Sequence, residues 1–217
     1  AMSRLLPANE GEVLLDGADI SSIRRKDLAR TISVLPQTPT APEGLNVADL
    51  VSRGRHPHQS WIRQWSSTDE AEVHKALEMT GSLGLAERTL DSLSGGQRQR
   101  VWISMTLAQG TDLLVLDEPT NHLDVHHQIQ LLETVRALGR TVVAAVHDLQ
   151  LAAAHFDEVA VLHDGGLHSV GPPAAVLTPQ TVRHVFDVDA QHLVDPATGR
   201  VHLVLGAGAP PAASHRK

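Results

Sequence analysis

The 217-residue chain has 41% hydrophobic residues, no cysteine and a formal net charge of -7 with neutral histidines. This apolar content can bury a core, and the lack of cysteine excludes disulfides and thiolate metal sites. The negative charge argues against a nucleic-acid partner, because binding a phosphate backbone requires clustered Lys and Arg. No apolar run approaches the ~20 residues of a membrane-crossing helix, and the first residues lack the apolar core of a signal peptide. We therefore expect a cytoplasmic protein.

The first third of the chain predicts short strands and helices. The predicted elements are a strand at 12–15, a helical turn at 24–30 and a strand at 31–35 that Pro36 ends. From Asn46 the apolar spacing becomes helical, with Val47, Leu50 and Val51 three and four positions apart. The same spacing returns at 73–77. Residues 44–92 therefore predict a helical insert.

The second half of the chain predicts a parallel sheet. The predicted elements are a helix at 97–108, a strand at 113–117, a helix at 125–135 and a strand at 141–146. Strand, helix and strand at this spacing indicate an α/β fold with parallel pairing. The two strands are continuously apolar, which predicts burial on both faces. Further along, the patterns predict a hairpin of 158–162 with 167–170, a helix at 179–185, a strand at 200–205 and a disordered end.

A glycine-rich segment marks the start of one predicted helix. Residues 93–100 read Leu-Ser-Gly-Gly-Gln-Arg-Gln-Arg. Glycines let backbone N–H groups approach an anion, and a helix N-terminus adds partial positive charge. Ser94, Gly95, Gly96 and Gln97 therefore predict an anion site. The simpler alternative is that Ser94 only caps the helix.

A pair of carboxylates lies at the end of the strand predicted at 113–117. In parallel sheets ligands bind beyond the carboxyl ends of the strands, where Asp117 and Glu118 fall. One carboxylate can help to hold Mg²⁺ while the next orients or deprotonates a water molecule, which is the chemistry of phosphoryl transfer. The alternative is an acid pair that caps a turn, with Pro119 at the first position of a helix.

Together these blocks carry a family resemblance. Residues 93–100, the apolar run 113–116 and the segment Asp-Glu-Pro-Thr-Asn-His-Leu-Asp at 117–124 resemble the signature loop, Walker B strand and D-loop of an ABC-type ATPase. The resemblance extends from residue 1 to about residue 205. It implies an α/β, P-loop NTPase-like fold with a mainly parallel sheet and a helical subdomain insert. The implied division is a partial ATPase core at 1–43, the helical subdomain at 44–92, the rest of the core at 93–171 and a C-terminal extension at 172–217.

The resemblance also implies roles for single residues toward ATP and Mg²⁺. The implied catalytic residues are Glu118, His147 and Gln37; the implied metal ligands are Asp117 and Gln37; and Ser94, Gly95, Gly96, Gln97 and Asp124 would act on nucleotide held by a second, identical subunit. Gln37 and His147 are assigned by their positions after predicted strands. A His that ends a strand is also common as a hydrogen-bonded structural residue.

The helical insert at 44–92 indicates which branch of the family the chain resembles. Only 57 positions separate Gln37 from Ser94, as in transporter subunits and unlike the long coiled coils of DNA-repair and chromosome-condensing relatives. Residues 47–58 resemble importers of iron-siderophore complexes, haem and cobalamin; the alternative is a solvated basic loop. We therefore expect an import ATPase on the inner face of the membrane that works with permease subunits, with Arg53 and Arg55 facing the permease.

One family element is not found in the 217 residues. Lys26, Lys75 and Lys217 are the only lysines, and none ends a Gly-rich phosphate loop. The resemblance places that loop upstream, so we expect the chain to begin inside the cassette, at an internal Met2. A chain without the loop would lose roughly 6 kcal/mol of phosphate binding and be inactive. The alternative function is a degenerate, non-catalytic subunit that acts as a binding or dimerisation module.

The fourteen histidines raise the possibility of a further metal site. Only the pairs His126 with His127 and His56 with His58 are close in sequence. Such neighbours usually point apart, so the sequence favours no histidine metal site.

Overall fold

The computed structural model describes Arg4 and residues 8–60, 65–196 and 201–206. The chain divides into two compact units, Ala1–Ala145 and Val146–Lys217, and each is described by itself. The predicted disordered end after residue 206 lies outside the described residues, as does most of the segment before residue 8. Within the described ranges, no helix combines the length and the apolar character needed to cross a bilayer.

The first unit contains a parallel sheet and most of the helices. Its strands are β1 (Leu14–Leu15), β2 (Ala18–Asp19), β3 (Ile32–Leu35), β4 (Leu113–Asp117) and β5 (Thr141–Ala145). Its α-helices are α1 (Arg25–Thr31), α2 (Val47–Ser52), α3 (Ser67–Met79), α4 (Gly95–Ala108) and α5 (Val125–Ala137). Short 3-10 helices span Arg53–His58, Leu83–Leu85 and Leu90–Ser92.

The parallel sheet has the strand order β3-β4-β5. Ile32 lies opposite Leu113 in the first pair, and Leu113 lies opposite Thr141 in the second. Both connections are crossovers that include helices, as parallel pairing requires. The prediction of an α/β fold with a parallel sheet flanked by helices is confirmed, and the three predicted strands agree with the structure to within one residue.

Helix α4 joins the sheet and the helical insert in one hydrophobic core. Val101 and Ile103 of α4 are fully buried, as are Leu35 of β3 and Leu114 of β4. The same core includes apolar residues of α2 and α3, namely Val47, Leu50, Val51, Val73, Ala76 and Leu77. Since these are the residues whose spacing predicts helices, the pattern correctly identifies the buried faces of the insert.

Strand β5 is less buried than its apolar sequence predicts. Val142 and Ala144 pack against the main core, but on the opposite face Val143 is 39% exposed. A second cluster around Leu28 covers that face of β3 and β4 and does not extend to β5. The prediction of burial on both faces is therefore wrong for β5.

In the part of the second unit that the structure describes, there are two antiparallel hairpins and three helices. Its elements are α6 (Leu149–His155), β6 (Val159–His163), β7 (Gly166–Gly171), α7 (Pro173–Val176), α8 (Pro179–Phe186), β8 (Asp189–Val194) and β9 (Val201–Gly206). The hairpin β6-β7, helix α8 and strand β9 confirm the predictions. Helices α6 and α7 and strand β8 are not anticipated by the sequence patterns. Val161, Leu177 and Val182 lie in this unit's own core.

Candidate nucleotide site

The glycine-rich segment forms the N-terminus of α4. The Ser94 hydroxyl accepts a hydrogen bond from the Gln97 backbone N–H at 3.3 Å, and the Gln97 side-chain oxygen accepts one from the Ser94 N–H at 3.1 Å. This reciprocal capping box satisfies two N–H groups at the helix start. Ser94 is therefore a helix cap, which was the simpler alternative. An anion-binding role for its hydroxyl remains a prediction.

The glycines bring the start of α4 against the loop that follows β4. A Cβ atom on Gly96 would lie 3.2 Å from the carbonyl oxygen of His122, and one on Gly95 would lie 3.6 Å from the Cβ of His122. The side-chain amide of Gln99 donates a hydrogen bond to the Pro119 carbonyl at 3.1 Å. The segments 93–100 and 117–124, found separately in the sequence, therefore lie side by side in the first unit.

The carboxylate pair lies at the carboxyl end of β4. Asp117 is the last residue of β4, lies opposite Ala145 of β5 and is exposed. Glu118 is half-buried, and its backbone N–H donates to the Ala145 carbonyl at 3.0 Å. Its φ of 49° places it in the left-handed region, which a residue with a Cβ adopts only at a cost. Strained backbone of this kind often occurs at functional sites.

Asn121 holds the Glu118 side chain. Its amide donates a hydrogen bond to a Glu118 carboxylate oxygen. The family resemblance implies no separate role for Asn121. The sequence feature that could identify Asn121 is its position three residues after Glu118, because a turn of that length can bring the two side chains together.

Gln37 lies at the same edge of the sheet as the carboxylates. It is exposed and follows β3 by two residues, and Leu35 of β3 lies opposite Leu116 of β4. Because the carboxyl ends of parallel strands share one edge, Gln37, Asp117 and Glu118 are all placed there.

Asp124 caps helix α5. Its carboxylate accepts from the His127 backbone N–H at 2.9 Å and contacts the His127 ring nitrogen at 2.8 Å. The hydrogen bond from the His127 backbone, followed by that from its ring, lowers the pKa of Asp124 below the ordinary 3.8. The carboxylate is also exposed, with 66% of the side chain accessible. It is a cap in this structure, and a role across a dimer interface stays a prediction.

His147 belongs to the second unit. It is exposed and directly precedes Asp148, whose carboxylate caps α6 by accepting from the backbone N–H groups of Gln150 and Leu151. The placement of His147 between β5 and the start of a capped helix agrees with its predicted place after a strand. Its role toward a nucleotide stays a prediction.

The structure corrects the expectation for Arg55. Arg53 is exposed, but Arg55 is only 5% exposed and pairs with Asp69 at 2.9 Å. A side chain enclosed in this way cannot face a permease, so that prediction is wrong for Arg55. Residues 47–58 are likewise not a fully solvated basic loop.

The histidines form no ready metal site in the described residues, where no group of three His, Asp or Glu is arranged to hold a metal ion. Three rings that are distant in sequence do lie near each other in the second unit: His163, His168 and His184 have centroids 5.3 to 6.4 Å apart. Sequence spacing gives no sign of this cluster, since β6, β7 and α8 each supply one ring.

A glycine-rich helix start that lies against the loop after the strand ending at Asp117, in a unit with a helical insert, agrees with the ATP-binding cassette that the sequence resemblance implies. A family model described as ABC transporter matches residues 1–121. Achromobactin transport ATP-binding protein CbrD of Dickeya dadantii is 46% identical over 200 residues, covering 90% of this chain and 74% of the relative. Ferric enterobactin transport ATP-binding protein FepC of Escherichia coli is 40% identical over 218 residues, covering 98% and 80%.

The fold comparison agrees with the sequence comparison. An ABC transporter solved in an inward-facing conformation superposes with a TM-score of 0.72 at 27% identity, covering 82% of this chain and 73% of that one. The chain belongs to the ABC transporter family, as an ATP-binding subunit of the importer type, whose members are ATPases coupled to transport.

Proposed function

We propose that a subunit carrying these residues together with a Gly-rich phosphate loop hydrolyses magnesium ATP at the carboxyl edge of its parallel sheet to drive uptake of an iron-siderophore complex or a similar metal chelate. The 217 residues by themselves contain no such loop, so we expect them not to hydrolyse ATP. The observation that carries the catalytic part is the pair Asp117 and Glu118, with Glu118 held by Asn121. The chelate is inferred from relatives named for achromobactin and ferric enterobactin transport.

Each acidic residue has a distinct part in this proposal. Asp117 is exposed at the end of β4, and Gln37 follows β3 at the same edge of the sheet. Carboxylate and amide oxygens are hard ligands that fit Mg²⁺. Mg²⁺ would neutralise the charge that develops on the transferred phosphate. Glu118 accepts a proton from the attacking water or orients it, and its restrained carboxylate needs little reorganisation to do so.

The remaining motif residues act on the same nucleotide chemistry. We assign Ser94, Gly95, Gly96 and Gln97 to the phosphates of ATP held by a second copy of the subunit, where the N–H groups at the start of α4 favour an anion. Asp124 would reach across the same dimer, and His147 would contact the terminal phosphate. The dimer would work beneath two permease subunits at the inner face of the membrane.

The test replaces Glu118 with Gln in the chromosomal gene and measures uptake of radioactive iron presented as ferric siderophore. The change keeps the shape of the side chain and removes the base, so we expect uptake to be lost while the protein level stays normal. The matched control is Glu133→Gln, an exposed position on α5, which should transport normally. Normal uptake by the Glu118→Gln strain would favour the alternative, a non-catalytic binding or dimerisation module.

A further inference from the structure

Arg55 and Asp69 form the most buried charged pair in the described residues. Arg55 contacts the carboxyl end of α4, whereas the glycine-rich segment forms the amino end of that helix. Arg55 and Asp69 are 5% and 1% exposed. The Arg55 Nε donates to Asp69 Oδ1 at 2.9 Å, and one terminal nitrogen of the same guanidinium donates to the Ala108 carbonyl at 2.7 Å and more weakly to the Gln109 carbonyl at 3.4 Å. A guanidinium can donate hydrogen bonds to partners on two sides at once because its N–H donors form a rigid fork.

The partners of Arg55 are two helix ends of opposite polarity. Ala108 ends α4, where the last carbonyls lack helical partners and no residue of the last turn is basic. Asp69 lies in the first turn of α3, where it forms a capping box with Ser66. A cation favours a helix C-terminus and an anion favours an N-terminus. Arg55 therefore supplies the charge that α4 lacks and ties it to the start of α3.

Further contacts fix the same end of α4. His58 lies 2.7 Å from the Gln109 carbonyl, and the Gln109 side-chain amide donates to the Ile32 carbonyl at 2.9 Å. Gly54 lets the chain before Arg55 approach α4, since a Cβ there would lie 2.3 Å from the Met105 carbonyl oxygen. We call Gly54, Arg55, His58, Asp69 and Gln109 the clasp. It joins α4 to the beginning of β3.

Helix α4 links the clasp to Ser94, Gly95 and Gly96. Its 14 residues span about 20 Å as one rigid rod. Because Val101 and Ile103 are fully buried against the sheet and the insert, a rotation at one end of α4 is passed to the other end.

We propose that Arg55 is a positioning residue for the signature segment 94–97: by holding the carboxyl end of α4, it sets where the amino end presents its N–H groups. The consequence for catalysis rests on the proposed function, in which that amino end contacts nucleotide phosphate of a second subunit. The two arginines of the basic segment 53–58 thus lie in different environments: Arg53 is exposed to solvent, and Arg55 is buried inside the subunit.

The test is hydrogen exchange in the purified 217-residue chain without nucleotide. The amides of Ser94 and Gln97 are suitable reporters, because both donate within the capping box. Arg55→Lys keeps the charge and loses the fork. We expect exchange at 94–97 to be about tenfold faster, a change of about 1.4 kcal/mol in opening free energy, while Arg53→Lys exchanges at the wild-type rate.

A matched destabilised variant separates positioning from general loss of stability. Val135→Ala removes buried volume on α5, outside the clasp. The variants are compared at urea concentrations that give each the same free energy of unfolding. Faster exchange at 94–97 in Arg55→Lys alone supports positioning, and equal exchange in both variants overturns it.

A second substitution covers the case in which Arg55→Lys does not fold. Asp69→Glu keeps the charge and displaces the carboxylate from the other side of the pair, so it should also accelerate exchange at 94–97; wild-type exchange there would overturn the proposal. Failure of the proposed function is distinguishable, because it would appear as normal iron uptake by Glu118→Gln and would leave these exchange rates unchanged.

Discussion

The side-chain amide of Asn121 donates a hydrogen bond to the carboxylate of Glu118, so the turn that follows the proposed catalytic base also holds its side chain. The same turn places the Glu118 backbone at a φ of 49°. Orientation of the carboxylate and strain of the backbone therefore have one origin, the sharp turn after β4. If Glu118 is retained in this conformation for its chemistry, a residue that adopts a positive φ without strain should give a more stable protein at position 118.

The strain at Glu118 can be measured by comparing Glu118→Gly with Glu118→Ala. Both lose the carboxylate and its bond to Asn121, but only glycine adopts positive φ freely. We expect the glycine variant to be more stable by about 1 kcal/mol in urea unfolding. The same pair of substitutions at Glu133, in the interior of α5, should give the opposite order by about 1 kcal/mol. Equal stability of the two Glu118 variants would show that the position is unstrained.

Gly54 should be intolerant of any side chain. A methyl group at Gly54 would meet the Met105 carbonyl at 2.3 Å, so Gly54→Ala must displace α4 or the chain before Arg55. We expect a loss of about 2 to 3 kcal/mol in the free energy of unfolding. Gly84 has open space around the equivalent atom and no positive φ, so Gly84→Ala should change stability by less than about 1 kcal/mol. A Gly54→Ala chain as stable as Gly84→Ala would show that the contact relaxes freely.

The Asp69 carboxylate should make stability depend on acid pH. Burial would raise the pKa of Asp69, but hydrogen bonds from Ser66 and Arg55, with the Arg55 charge, outweigh it and hold the pKa below the ordinary 3.8. Since the folded-state pKa is the lower one, the stabilisation is complete above the unfolded-state value and is lost as pH falls through the folded-state value.

Asp69→Asn tests this dependence. It leaves the Arg55 charge buried without its partner, so we expect a loss of about 3 kcal/mol at pH 7. The difference from wild type should shrink as the pH is lowered below about 3.9, where the unfolded wild-type carboxyl takes up its proton. Glu70→Gln, at an exposed neighbouring position, serves as the control and should differ little from wild type at any pH. A difference for Asp69→Asn that does not change with pH would contradict the assignment.

Two substitutions separate the helix-capping role of Asp124 from its proposed role across the dimer. Asn caps helices as well as Asp, whereas Ala does not cap. We therefore expect Asp124→Ala to lower the midpoint of urea unfolding and Asp124→Asn to leave it near the wild-type value. If the charge also acts across a dimer, cells carrying Asp124→Asn should lose iron uptake even though the subunit is stable. Normal uptake by those cells would restrict Asp124 to its capping role.

The sequence predicts those parts of the fold that depend on local patterns. Val47, Leu50 and Val51 identify the buried face of α2 because a helix brings residues three and four apart together. Ser94 marks the start of α4 because its cap needs only Gln97, three residues on. The ends of β4 at Asp117 and of β3 at Leu35 follow in the same way from apolar runs and, for β3, from Pro36.

The features missed by sequence analysis depend on contacts between distant residues. Arg55 looks like a surface cation, and its burial follows only from Asp69, 14 positions away, and Ala108, 53 positions away. Val143 looks like a core residue, but its exposure depends on how far the Leu28 cluster extends over the sheet. Strand β8 reads Asp-Ala-Gln-His-Leu-Val, which does not alternate regularly between polar and apolar residues, and its pairing is visible only once β9 lies beside it.

The register of the parallel sheet has a consequence for synthesis of the chain. Ile32 of β3 pairs with Leu113 of β4, so about 80 further residues must leave the ribosome before β3 meets its partner strand. At about 5 to 20 residues per second, this delay lasts on the order of several seconds. During that time the helical insert can fold on local contacts while β3 exposes an unpaired apolar segment. The speed of translation between these two strands should therefore influence how much of the nascent protein reaches its folded state.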